Sequence, residues 1–186
     1  PPILTQFRES NPLCRFEVKC EDTPRCLDLL TAGQIDLAIT LEPIQMVEFE
    51  FAPCFNDELR IVVPTDHKWA QAGAVDWSEA GSESFILYNR TSYTFRILRE
   101  YLDKEGVRLS GFMEIGSPDA TKELIKSGIG LGVMADWAVQ TEVSRGELAS
   151  LPLGKKKLSR TWGVCVRKGR KLNKAERIFI KMAEEL

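Results

Sequence analysis

Two runs of strand–helix alternation, divided by one long extended apolar stretch, constrain this chain more than any other feature. In the first run, residues 15–20 alternate polar and apolar side chains, the pattern of a half-buried strand. Thr23 then reads as an N-cap with Pro24 at the first helical position, and the helix runs through Leu27 and Leu30 to Gly33. Residues 36–40 (DLAIT) form a short apolar strand. A strand–helix–strand unit of this kind implies parallel pairing, because only a crossover returns the chain in the same direction. Residues 47–64 follow, rich in Phe, Ile and Val and interrupted at Asn56-Asp57, long enough to cross from one lobe to another.

The second run starts with a loop at 64–73 that carries His67 and Trp69, and one helical turn at 78–81. Residues 85–88 are a strand, and 92–105 a helix with Phe95, Leu98 and Leu102 inward, ended by Gly106. Residues 112–115 are a strand. Ser117 caps a helix with Pro118 at its first position, Gly128 ends it, and 129–134 is the next strand. Residues 136–143 are helical, and 148–151 and 161–167 are strands, the last returning toward the first lobe. A helix also opens the chain over residues 1–10. Another closes it after the capping box Asn173/Glu176, with Ala175, Ile178, Phe179, Met182 and Leu186 as its buried stripe. The expected architecture is α/β, with two lobes and a cleft between them.

Composition excludes several function classes. The net charge of −2 argues against direct nucleic-acid binding, which usually brings a basic excess. Nine basic and no acidic residues fall between Lys155 and Lys174, and they read as solvated loop charge. No segment reaches the about 18 apolar residues of a membrane span, so no membrane partner is expected. The five cysteines (Cys14, Cys20, Cys26, Cys54 and Cys165) lack C-x-x-C spacing and read as free, buried thiols of a reducing cytoplasm. His67 is the only histidine, and no metal or cofactor is expected. It reads as a surface turn residue, since no nucleophile or carboxylate can be tied to it. Asp57 and Glu58 are adjacent in an extended stretch and point to opposite faces, so they cannot share a proton. The glycines at 128, 130 and 132 follow a helix and enter a strand, the reverse of a dinucleotide loop. Tyr88 and Phe95 read as core. Nothing marks an enzyme.

What remains is a set of hydroxyl residues placed directly after strands: Thr23, then Thr91, Ser92 and Thr94, then Ser117. In an open α/β sheet the strand C-terminal ends and the following helix N-termini share an edge, where free amides and the helix dipole suit a small anion. Plain capping needs the same residue types.

The ordered stretches LDLLTAGQIDLAIT, ELRIVVPTDHKWA, FILYNRTSYTFRIL and ELIKSGIGLGVMADWAV resemble the effector-binding domain of LysR-type transcriptional regulators, and the likeness runs over nearly the whole chain. The resemblance implies two Rossmann-like lobes joined by crossing strands, like a type II periplasmic binding protein. One lobe would hold residues 1–58 plus 164–186 and the other 59–163. It implies a small organic, carboxylate-bearing effector touching Thr23, Ile39, Thr40, Ser92, Tyr93, Thr94, Ser117 and Pro118. It further implies a homodimer or homotetramer, DNA contacted only through a winged helix-turn-helix upstream of this chain, and a first strand that precedes Pro2. The position near Leu41, an arginine in some relatives, is apolar here. A transporter's periplasmic solute-binding protein would share the lobes and the ligand logic.

Overall fold

A computed structural model describes residues 2–109 and 112–185. The elements run α1 (Pro2–Ser10), α2 (Thr23–Thr31), β1 (Ala38–Leu41), β2 (Phe49–Pro64), α3 (Lys68–Ala72), β3 (Phe85–Leu87), α4 (Tyr93–Lys104), β4 (Phe112–Glu114), α5 (Pro118–Lys126), β5 (Leu131–Ala135), α6 (Gln140–Ser144), β6 (Leu148–Pro152), β7 (Leu158–Arg167) and α7 (Lys174–Glu184). Short 3-10 turns lie at Trp77–Ser82 and Asp136–Ala138. The chain divides into two compact units, residues 1–56 with 161–186 and residues 57–160. The sequence expectation set these boundaries at 58/59 and 163/164.

In the first unit, β1 pairs antiparallel with β7, Ala38 opposite Cys165 and Leu41 opposite Trp162, and β7 neighbours β2. Its core joins Ile3 and Phe7 of α1, Val164 and Val166 of β7, and Phe179 and Ala183 of α7. The Phe7 and Phe179 rings meet edge to face at 5.3 Å. The expected stripe of α7 is present in Ala175, Ile178, Phe179 and Met182; Leu186 lies outside the described residues, as does Pro1. The capping box is complete: the Asn173 side chain accepts the Glu176 N–H at 2.9 Å and Glu176 accepts the Asn173 N–H at 2.8 Å.

Residues 15–20 are not a strand, contrary to expectation. A strand persists only where its N–H and C=O groups meet a second strand, and among the described residues none pairs with this segment. Phe16 and Val18 stand exposed as a result. Cys20 in this segment is exposed, and Cys14 and Cys54 are half-buried, so the expectation of buried thiols holds only for Cys26 and Cys165.

In the second unit, β2 is flanked by β5 (Leu59 opposite Ala135) and β6 (Arg60 opposite Pro152), both antiparallel. Parallel β3 and β4 extend the sheet beyond β5. Period-two alternation serves both faces here. Leu59, Ile61 and Val63 face Leu98, Tyr101 and Leu102 of α4, whereas Val62 faces Ile125 of α5 and Val139. The glycine run is the expected helix-to-strand turn. Gly128 stands at φ 70°, and a Cβ on Gly130 would lie 2.9 Å from the Ser84 carbonyl oxygen. Asn56-Asp57 does not interrupt β2, which runs unbroken through it; the partners of Asp57, described below, explain why. Residues 136–143 break into a 3-10 turn and the short α6 rather than one helix. Lys122 on α5 reaches Glu142 on α6 at 3.0 Å, and Lys126 reaches Glu147 at 2.9 Å.

Glu176 supplies the pH dependence of the first unit. A hydrogen bond from Arg170 at 2.7 Å, then the Asn173 N–H, hold its pKa below the ordinary value. A depressed carboxylate pKa contributes stability above its unfolded value of about 4.3 and loses it as pH falls through the folded value. Glu176→Gln is therefore expected to lower Tm at neutral pH, with the gap to the parent closing below pH about 4. A Tm series against pH checks it; a constant gap would contradict the assignment.

Candidate functional site

Because β3, β4 and β5 run parallel, with Phe85 opposite both Phe112 and Leu131, their C-terminal ends share one edge of the second unit. Three connections leave from that edge. From β3 the chain passes through Tyr88 and Asn89 to α4, whose N-cap Ser92 accepts the Phe95 N–H at 3.1 Å. From β4 it passes to α5, whose N-cap Ser117 accepts the Ala120 N–H at 3.3 Å ahead of Pro118. From β5 it turns through Asp136 and Trp137. Arg90 pins the first connection, bonding Glu114 at 2.6 Å and lying over the Phe112 ring at 4.5 Å.

Capping thus accounts for the hydroxyls of Ser92 and Ser117, and it fixes where the helix ends point. At α4 it leaves two donors over. Among the described residues, the Tyr93 and Thr94 backbone N–H groups at the start of α4 meet no acceptor. Such groups are the natural anion donors of a helix N-terminus.

Thr94 has a different partner. Its hydroxyl oxygen accepts a hydrogen bond from Arg160 Nη1 at 2.7 Å. Arg160 grips Asp57 with two further bonds, Nε to Oδ1 at 2.8 Å and Nη2 to Oδ2 at 2.5 Å. The Trp137 indole N–H adds a third bond to Asp57, at 3.0 Å. Only 3% of the Asp57 side chain and 4% of that of Arg160 are exposed. Burial pushes the nearby Tyr88 phenol above its ordinary pKa, with Arg160 lowering it and Asp57 raising it. Arg160 therefore does not belong to a solvated basic loop, as its sequence context suggests. Glu58, on the other face of β2, pairs instead with Arg60 at 3.2 Å and Lys157 at 3.2 Å.

The first unit holds the other three expected residues. Asp22, not Thr23, is the N-cap of α2, accepting the Arg25 N–H at 3.0 Å. Thr23 is the first helical residue, and its hydroxyl oxygen accepts the Leu41 N–H at 3.2 Å, tying the start of α2 to the end of β1. Strand alternation separates the other two: Ile39 is 40% exposed and Thr40 1%. The Thr40 hydroxyl has no hydrogen bond of ordinary geometry. Its nearest influence is on the Cys165 thiol, which burial and then Cys26 push up to about 11 while Thr40 pulls it down.

Other candidates resolve into structure. His67 caps α3 by accepting the Trp69 N–H at 3.2 Å, with its Nε2 3.5 Å from Glu83. A cavity of about 450 Å³ lies between α4 and β4, lined by Leu98, Leu102, Arg99 and Phe112 among others, and includes none of the expected site residues. Among the described residues no cluster of His, Cys, Asp and Glu could hold a metal ion, and no helix is long and apolar enough to cross a membrane.

The profile of the LysR substrate binding domain matches residues 1–186. The chain belongs to that family. Curated relatives include a RuBisCO operon transcriptional regulator of Allochromatium vinosum, 21% identical over 96% of this chain and 59% of its own length. A probable RuBisCO transcriptional regulator of Synechocystis is 26% identical over 97% of this chain and 54% of its own length. This LysR-family domain thus spans little more than half of those relatives. Among solved structures, the regulatory domain of Synechocystis CcmR in complex with 2-PG superposes with a TM-score of 0.89 at 22% identity, covering 99% of this chain and 88% of that one. The effector-binding domain of QuiR in complex with shikimate gives 0.85 at 19% identity, covering 98% and 87%. At these identities the likeness speaks for the fold, which is that of LysR effector-binding domains, related to type II periplasmic binding proteins.

The buried pair has a measurable consequence. Arg160→Met strands a buried carboxylate and is expected to cost about 3–5 kcal/mol, whereas the double variant Asp57→Leu/Arg160→Met recovers most of that loss. Chemical denaturation followed by tryptophan fluorescence reads both. Equal losses in the single and double variants would contradict the assignment.

Proposed function

We propose that this domain is the ligand-sensing part of a LysR-type transcription factor, that it binds a small organic carboxylate, and that it controls transcription through a DNA-binding segment outside this chain. The observation that carries the reading is the strand-end edge of the second unit, where two backbone N–H groups and the Thr94 hydroxyl meet no protein acceptor among the described residues. Ser92, Tyr93, Thr94, Ser117 and Pro118 are the proposed contacts of the second unit, and Thr23, Ile39 and Thr40 those of the first.

Family membership supports the regulatory role, and the relatives named above are transcriptional regulators. No observation favours the transporter reading. Among the described residues the site pairs no nucleophile with an adjacent base, which supports a ligand that is held rather than turned over. Control follows from differential affinity: a ligand that binds one state of the protein more tightly raises that state's population. In this reading the protein works in the cytoplasm as a homodimer or homotetramer, and no cofactor takes part.

A thermal-shift screen of small organic carboxylates, with shikimate and 2-PG included, tests the reading. At a concentration about 100 times Kd, a binder adds about 2.7 kcal/mol and raises Tm by several degrees. The shift is expected to vanish in Thr94→Val/Ser117→Ala. A shift that survives the double variant removes the site assignment, and a screen in which no carboxylate raises Tm removes the ligand class.

A further inference from the structure

We infer that the cavity between α4 and β4 is a second small-molecule site of this unit, and that it takes an unbranched aliphatic chain ending in one carboxylate. It is separate from the strand-end edge, because none of the residues proposed above as ligand contacts lines it.

The cavity follows from how the sheet ends. In the strand order β4 is the edge, and it has only 3 residues, whereas α4 has 12. Leu98 and Leu102 on the apolar face of α4 pack toward Leu87 of β3. The short edge strand leaves part of that face uncovered, and about 450 Å³ stays open beside Val107, Leu109 and Phe112. Protein interiors hold few voids larger than a water molecule. A space of this size falls instead within the roughly 300–1,000 Å³ of small-molecule pockets.

Its walls are already fixed. Arg90 lies over the Phe112 ring at 4.5 Å and is held there by Glu114 at 2.6 Å. The Phe95 ring meets Phe112 at 5.2 Å, tilted by 40°. Phe112 is thus engaged both on its face and against a second ring. The apolar surface left to a ligand is chiefly that of leucine and valine side chains, which offer no flat face for stacking. Such a lining selects by the length of apolar chain it removes from water.

Charge fixes the other end of the ligand. Arg90, Arg99 and Arg108 border the cavity, and Asp103 is its single lining carboxylate. Arg90 is matched by Glu114, and Arg99 stands 3.9 Å from Asp103. Arg108 is exposed and makes no hydrogen bond or ion pair among the described residues. One unmatched guanidinium beside an apolar space complements one anionic group on an apolar body.

Sodium butanoate, hexanoate and octanoate, with hexylammonium chloride and 1-hexanol, are the probes. Each is titrated into the 186-residue chain to about 20 mM at constant ionic strength, enough to populate a millimolar site. Methyl NMR signals of Leu98, Leu102 and Val107 are the readout. Octanoate is expected to move them saturably, with affinity rising about tenfold for every two methylenes along the series. Hexanoate is expected to bind about fivefold more tightly than hexylammonium. Arg108→Glu is expected to reverse that preference and leave 1-hexanol unchanged, and Arg108→Lys to keep it. Octanoate binding is expected to be the same in Thr94→Val/Ser117→Ala as in the parent. Native Trp69 and Trp77 indole signals, both from the second unit's core, certify the fold of each variant.

Four results overturn the inference: no saturable response to octanoate, affinity independent of chain length, a charge preference indifferent to Arg108, or shifts at Thr94 and Ser117 in place of Leu98 and Leu102. Unsaturable shifts spread over both units would mean adsorption to apolar surface at large, and they overturn it as well.

Discussion

An ionised carboxylate with 3% of its side chain exposed must be compensated on nearly every lone pair, or the fold that buries it is unstable. Asp57 meets that demand with two bonds from Arg160 and one from Trp137. The geometry of the strand-end edge follows from this requirement. Arg160 can satisfy Asp57 only from a fixed position, and from there its third bond falls on Thr94. Trp137 can satisfy it only by turning its N–H inward, which leaves its ring outward. Replacing such a pair with apolar residues is often neutral for stability, so a buried ion pair is better read as setting geometry than as holding the fold together.

Most of the secondary structure was legible because it rests on local rules. Gly128 and Gly106 stop their helices at positive φ, Asn173 and Glu176 form the capping box, and the apolar alternation of β2 places Leu59, Ile61 and Val63 on one face. The failures share one cause, which is long-range pairing. Residues 15–20 carry a good strand pattern, but a pattern cannot say whether a neighbouring strand is there to pair with. Asp22 displaced Thr23 as cap because Thr23 has a tertiary partner, the Leu41 N–H, eighteen residues away.

The site divides in the same way. Ser92 and Ser117 were visible from their position between strand and helix, and the structure gives both a capping bond. Asp57 and Arg160 were missed because they lie 103 residues apart, one inside an apolar strand and the other after a run of lysines. The one available signal was a carboxylate in the longest extended stretch of the chain. It reads locally as an interruption, whereas the fold treats it as an anchor. Trp137 gave no signal, since an aromatic residue next to a strand defaults to core. The fold itself is shared with LysR effector-binding domains at about a fifth identity.

Hydrogen exchange at the Arg160 Nε–H and the Trp137 indole N–H, measured by NMR in the ligand-free chain, tests the buried-carboxylate account most directly. Both protons are expected to exchange far more slowly than the Nε–H of the exposed Arg96 on α4, because each is held on a carboxylate that water does not reach. Exchange of the Arg160 proton as fast as that of Arg96 would mean that Asp57 is open to solvent, and the organisation described for this edge would be wrong.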